Sequence, residues 1–92
     1  MQLSENEQLI IVGLKEDGSK FRPSDWAERL CGSLCTFRNR RMYYSPLLRP
    51  AVIEGVKCVL VDHRLQYENE ELFAYISGFI SENHLKTQIQ VK

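Results

Sequence analysis

Cys31 and Cys35 stand four residues apart, Cys58 follows later, and Asp62-His63 follows the strongest strand-like run of the chain, Val56–Val61. On a continuous helix two thiols at that spacing share one face, as metal ligands do, yet a structural zinc site takes four ligands. Cys58, His63 and His84 supply no paired ligand spacing, so metal binding is not the expectation. Cys31 should instead pack beside Leu30 and Leu34, and Cys58 should fill a sheet face as a small hydrophobe. Asp62-His63 stands at a strand end, where catalytic residues often sit, so catalysis or redox work near Cys58, Asp62 and His63 is a third candidate. That chemistry requires the three groups to converge in one cleft. The bland alternative is a turn in which Asp62 accepts bonds from the amides that follow. No glycine-rich phosphate loop and no nucleophile elbow accompanies them, so no cofactor and no catalytic residue is assigned.

A different chemistry is written between residues 29 and 53, which hold Arg29, Arg38, Arg40, Arg41 and Arg49 and no Asp or Glu. Phe37, Tyr43 and Tyr44 interleave with them. Guanidinium groups reach phosphates while rings stack on bases, so Arg38, Arg40, Arg41, Tyr43, Tyr44 and Arg49 form a candidate surface for RNA or single-stranded DNA. The structural alternative places Phe37 and one tyrosine in the core and pairs the arginines with the acidic segment 62–82. There Asp62, Glu68, Glu70, Glu71 and Glu82 are opposed only by Arg64. Split charge of this kind favours self-association or a charged protein partner. A second candidate surface is the small-residue set Ala74, Ser77, Gly78 and Ser81, opposite the apolar stripe of a helix. Gly78 there costs about 1 kcal/mol against Ala unless something approaches closely.

The elements that must hold these residues follow from periodicity. Gln8–Leu14 reads as a first strand, and Lys15-Glu16-Asp17-Gly18-Ser19 as the turn that closes it. Pro23 keeps the next approach extended, and Ser24 or Asp25 caps a helix in which Trp26, Ala27, Leu30 and Leu34 recur at helical spacing until Gly32 weakens it. Residues 36–50 break the pattern, with Pro46 and Pro50 confining any strand to an edge. Ala51–Ile53 and Val56–Asp62 form a hairpin about Glu54-Gly55. Asn69–Asn83 is a helix with Leu72, Phe73, Ile76, Phe79 and Ile80 on one side, capped by Asn69, with Glu70 and Glu71 at the positive end of its dipole. Residues 86–92 alternate as a terminal strand would, or fray.

With 92 residues, a second core would leave each half too small to fold unaided, so one domain over 1–92 is expected. The 43% hydrophobic and 26% charged content suffices to offset ordering entropy. Twelve basic against twelve acidic side chains exclude a protein that grips nucleic acid by bulk charge. No apolar run is long enough to span a bilayer, Met1–Gln8 is too polar for a signal peptide, and three cysteines make no disulfide framework. A cytoplasmic address without membrane contact is the expectation.

The segments Phe21–Gly32, Tyr44-Ser45-Pro46, Gly55–Asp62 and Phe79–Leu85 resemble a small proteobacterial family, the domain of unknown function 3579, with Pro23–Leu30 as the most specific part. That resemblance implies a short bacterial cytoplasmic protein of compact α+β fold, without an assigned activity, cofactor or site residue. The fold expected from the residues is α+β, an antiparallel or mixed sheet of three to four strands with the Trp26 and Phe79 helices on one face. Its expected core is Ile10, Val12, Trp26, Leu30, Leu34, Val56, Cys58, Leu60, Leu72, Ile76, Phe79 and Ile80. The expected function is a non-enzymatic protein-binding or self-associating module. RNA or single-stranded DNA binding is the alternative, and a small enzyme or redox protein trails both.

Overall fold

A computed structural model describes residues 2–22, 25–34 and 36–91, together with their side chains except those of Ser33, Phe37, Arg38 and Met42. The expected cap at Ser24, the extended Pro23, the second thiol Cys35 and the side chains of Phe37 and Arg38 therefore lie outside the described residues.

The chain runs β1 (Glu7–Lys15), α1 (Trp26–Cys31), a 3-10 turn (Gly32–Leu34), β2 (Thr36–Arg38), β3 (Arg41–Tyr43), β4 (Leu48–Ile53), β5 (Val56–Asp62), α2 (Leu65–Glu68), α3 (Glu70–Asn83) and β6 (Leu85–Val91). Four strands form an antiparallel sheet in the order β4-β5-β1-β6, and β2 pairs with β3 in a separate hairpin. The α+β reading holds. The terminal alternation forms β6 on one edge, and Pro50 sits in β4 on the other, where its missing N–H harms no ladder.

Local chemistry explains the boundaries. Asp17 Oδ1 accepts from the Ser19 amide at 2.9 Å and its hydroxyl at 2.6 Å, which shapes the turn after β1 and holds the Asp17 carboxyl below its ordinary range. Asp25 precedes α1 but makes no side-chain cap; its Oδ2 takes Arg29 Nε at 2.8 Å instead. The β4–β5 hairpin turns at Glu54 (φ 52°) and Gly55 (φ 78°), two successive left-handed residues, as a two-residue primed turn requires. Asn69 caps α3 by accepting from the Leu72 amide at 3.2 Å, as the sequence indicates. Helix α2 is an element that periodicity did not reveal, too short for a repeat to show. It buries Leu65, and Gln66 clamps the N-terminal segment by bonding both the amide and the carbonyl of Leu3.

Cross-strand partners share a face, so the register sorts the side chains. Leu9, Ile11, Val59, Val61 and Leu48 pack against Trp26, Ala27, Leu30 and Cys31 of α1 and Phe73 and Ile76 of α3. Ile10, Cys58 and Leu60 form a second cluster on the reverse face, flanked by Val12, Ala51 and Val56. The expected core therefore mixed two faces: Ile10, Val12, Val56, Cys58 and Leu60 point away from the helices. Every residue of Leu9–Val12 and Cys58–Val61 is apolar, so a period of two carries no contrast there.

Gly13 lies on the helix-covered face. A Cβ there would collide with the Lys57 carbonyl oxygen and stand 3.2 Å from the Trp26 ring, so glycine lets the indole lie on the strand. Trp26 in turn stacks with Phe79 at 6.4 Å and meets the edge of Phe21 at 5.4 Å.

Candidate functional site

The expected arginine–tyrosine segment forms the β2–β3 hairpin, outside the main sheet. Its backbone register pairs Arg38 with Arg41 and Thr36 with Tyr43. Asn39 (φ 48°) and Arg40 (φ 65°) form the tip, both left-handed. Asparagine tolerates that conformation; arginine there costs on the order of 1–2 kcal/mol. Arg40 and Arg41 are exposed and Tyr43 is 48% exposed, whereas Tyr44 packs against the core. The structure thus divides the two tyrosines between surface and interior.

At the root of that hairpin Tyr44 and Arg49 border a basin of about 730 Å³ with Asp62, Arg64, Gln8 and Gln90. Gln8 Nε2 donates to Gln90 Oε1 at 2.7 Å along its floor. Asp62 is 6% exposed, and its Oδ1 accepts from the Arg64 amide at 2.9 Å and from Arg64 Nε at 3.0 Å. This is the turn role weighed for Asp62, placing the start of α2. His63 Nδ1 stands 3.3 Å from the same oxygen, in a contact that does not meet hydrogen-bond geometry. Cys58 does not join them: it lines a different hollow, two residue rows away along β5. The convergence required for chemistry at Cys58, Asp62 and His63 is not formed.

The hollow at Cys58 runs along the sheet face that no helix covers among the described residues. It measures about 600 Å³, floored by Ile10, Val12, Val56 and Cys58 and rimmed by Glu16, Glu54 and Lys86. At its corner Ile53 is 40% exposed. Burial pushes the Cys58 thiol up from its ordinary value, and burial followed by the Glu28 carboxylate pushes Cys31 up to about 12. Both are packed thiols rather than reactive ones, and no cluster of three potential metal ligands occurs among the described residues.

On the helical side Phe21, Arg22, Trp26, Arg29, Tyr75 and Phe79 line a cleft of about 450 Å³. Across α1, Lys57 Nζ donates to Glu28 Oε1 at 2.9 Å, which lowers the Glu28 carboxyl from its ordinary 4.5 and ties the helix to β5. The small-residue set of α3 faces outward, with Ala74, Gly78 and Ser81 exposed and Ser77 half-buried. A Cβ on Gly78 would meet nothing within 4 Å, so nothing within the chain requires glycine there. Ser77 Oγ donates back to the Phe73 carbonyl at 3.0 Å. No helix among the described residues is long and apolar enough to cross a membrane.

Sequence reasoning missed the uncovered sheet face, because both faces of β1 and β5 are apolar. The available signal was β6, where Thr87, Ile89 and Val91 alternate with Lys86, Gln88 and Gln90; paired with β1, that contrast assigns the odd residues to the helices.

A comparison with curated proteins found no match. Among solved structures, the chain is similar to a solution structure described as the first structural representative of its family. The two share 42% identity and a TM-score of 0.80 over 94% of this chain and 81% of the other. Residues 5–90 match the family model described as "Protein of unknown function (DUF3579)". The chain belongs to that family.

Proposed function

We propose that the chain is a non-enzymatic protein-binding module of the cytoplasm, docking a partner's apolar side chains on the uncovered face of its sheet. One observation carries this reading: the floor of that face is apolar, with Ile10, Val12, Val56 and Cys58, its charged groups stand only at the rim, and no aromatic ring is among its lining side chains. Bases seek rings to stack on, and chemistry needs converging titratable groups; an apolar floor with charged rims suits a polypeptide. Glu16 and Glu54 outnumber Lys86 at one end, and Arg49 and Arg64 outnumber Asp62 at the other, which favours a partner of opposite polarity. The test is affinity capture from native cytosol after nuclease treatment, with Ile53→Glu and Ala51→Glu as face variants. Capture that resists nuclease and is lost in both variants supports the reading. Loss of all capture with nuclease, or equal capture by the variants, refutes it.

A second reading, RNA or single-stranded DNA binding by the β2–β3 hairpin, is favoured by one observation. Arg40 occupies a left-handed tip position where glycine would be easier, and it stands beside exposed Arg41 and Tyr43. Strain kept at an exposed cation is what a surface role for that cation would explain. Titration of mixed oligonucleotides across a salt series tests it: affinity that falls steeply with salt and drops in Arg40→Gly supports hairpin binding, and salt-independent or absent binding removes it.

A further inference from the structure

The two edges of the main sheet are finished differently. β4 carries Pro50, which offers no N–H, beside Arg49, and its start is folded back through the Ser45–Leu48 bridge. Those are devices that stop one strand from recruiting another. β6 has none of them over Thr87–Val91. It is seven residues long, contains no proline, and carries Lys86 as its one charge. The irregularity in its pairing with β1 falls between Ile11 and Lys15, before that stretch. Ile89 is opposite Leu9 on the helix-covered side, yet Ile89 is 55% and Val91 65% exposed. A regular, nearly uncharged edge with two bare β-branched side chains is a strand awaiting a neighbour.

We propose that β6 pairs antiparallel with β6 of a second copy about a two-fold axis, joining two four-stranded sheets into one. This rests on the reading of the chain as a protein-binding module and names a partner for its edge. Pairing centred on Gln88 sets Leu85 opposite the copy's Val91, Lys86 opposite its Gln90 and Thr87 opposite its Ile89. Apolar or β-branched residues thus meet their own kind, and no like charges face each other. Centring on Thr87 or Ile89 keeps every odd residue opposite an odd one, so Ile89 and Val91 stay on the helix side in each register, and Ile89 then meets Leu85 or Ile89 of the copy. The Gln8–Gln90 amide contact at 2.7 Å shows the kind of cross-strand pair that glutamines of two copies repeat across the seam. A strand with one charge selects neither an acidic nor a basic partner, and self-complementarity is what a two-fold interface demands.

Sedimentation equilibrium of the full chain over a concentration series reads the outcome. The chain should pass from 10.8 kDa towards twice that mass. Ile89→Lys and Val91→Lys, both at exposed positions, should raise the dissociation constant by at least about tenfold with unchanged circular dichroism and melting temperature. Val52→Lys, on β4 and 69% exposed, should leave the dimer intact. A wild-type chain that stays at 10.8 kDa throughout overturns the pairing, as does a dimer indifferent to Ile89→Lys. Either result leaves the wider module reading to the nuclease-resistant capture and its sheet-face variants, so the two ideas fail separately.

Discussion

The two faces of one sheet are made from the same strands and nearly the same residue types, yet they do different work. Ile11, on the covered face, is fully buried beneath two helices, and Ile10, its neighbour in β1, is 4% exposed with strand side chains alone around it. Equal burial therefore does not mean equal confinement. A cavity cut under a helix has rigid walls on both sides, whereas one cut on the uncovered face opens to water and can relax.

Cavity-forming variants should expose that difference most. Ile11→Ala should cost about 4 kcal/mol in urea unfolding and Ile10→Ala about 2, towards the upper and lower ends of the range known for such truncations; equal costs would show that the two faces are equally closed. Gly13→Ala tests the covered face from the opposite side, by overfilling it. With the Lys57 carbonyl and the Trp26 ring in the way, it should lose about 2 kcal/mol, and a neutral result would mean the helix can lift from the strand.

Next in size are the strained turns, which belong to neither face. Arg40→Gly should raise stability by about 1 kcal/mol, because glycine adopts the left-handed tip without strain. Should Arg40→Gly stabilise the chain while weakening oligonucleotide binding, the arginine would be retained for its charge.

The smallest effect is electrostatic. Lys57 holds the Glu28 carboxyl below its ordinary 4.5, so the folded state binds that proton less readily than the unfolded state. The pair's contribution is fully present above about pH 4.5 and is lost as pH falls through the lowered folded value. Both side chains are partly exposed, so the effect is modest. Glu28→Gln should flatten the acid limb of a stability–pH curve relative to wild type, and a parallel curve would remove the pair from the account.

Periodicity reached the elements it could see. The α3 stripe with its Asn69 cap, the hairpin about Glu54-Gly55 and the edge placement of Pro50 all follow from signals that contrast apolar with polar, or one turn residue with another. It failed where contrast was missing. In Leu9-Ile10-Ile11-Val12 nothing distinguishes odd from even, and only the packing of Trp26 over Gly13 settles which half meets the helices. The candidate arginines were legible as a segment but not as a hairpin, since Thr36–Arg38 and Arg41–Tyr43 are three residues each, too short for alternation to register. Tyr43 and Tyr44 are indistinguishable by type, and their different fates depend on where the chain turns back into β4.

The order β4-β5-β1-β6 also dictates a sequence of events on the ribosome. β1 is made first but is an inner strand, and both of its neighbours are made much later. At roughly 5–20 residues per second, the 41 residues from Lys15 to Val56 leave Leu9–Val12 without a strand partner for roughly 2–8 s. During that interval this apolar segment of the nascent chain has no strand of its sheet to pair with, and its second side is closed only when β6 arrives beside it.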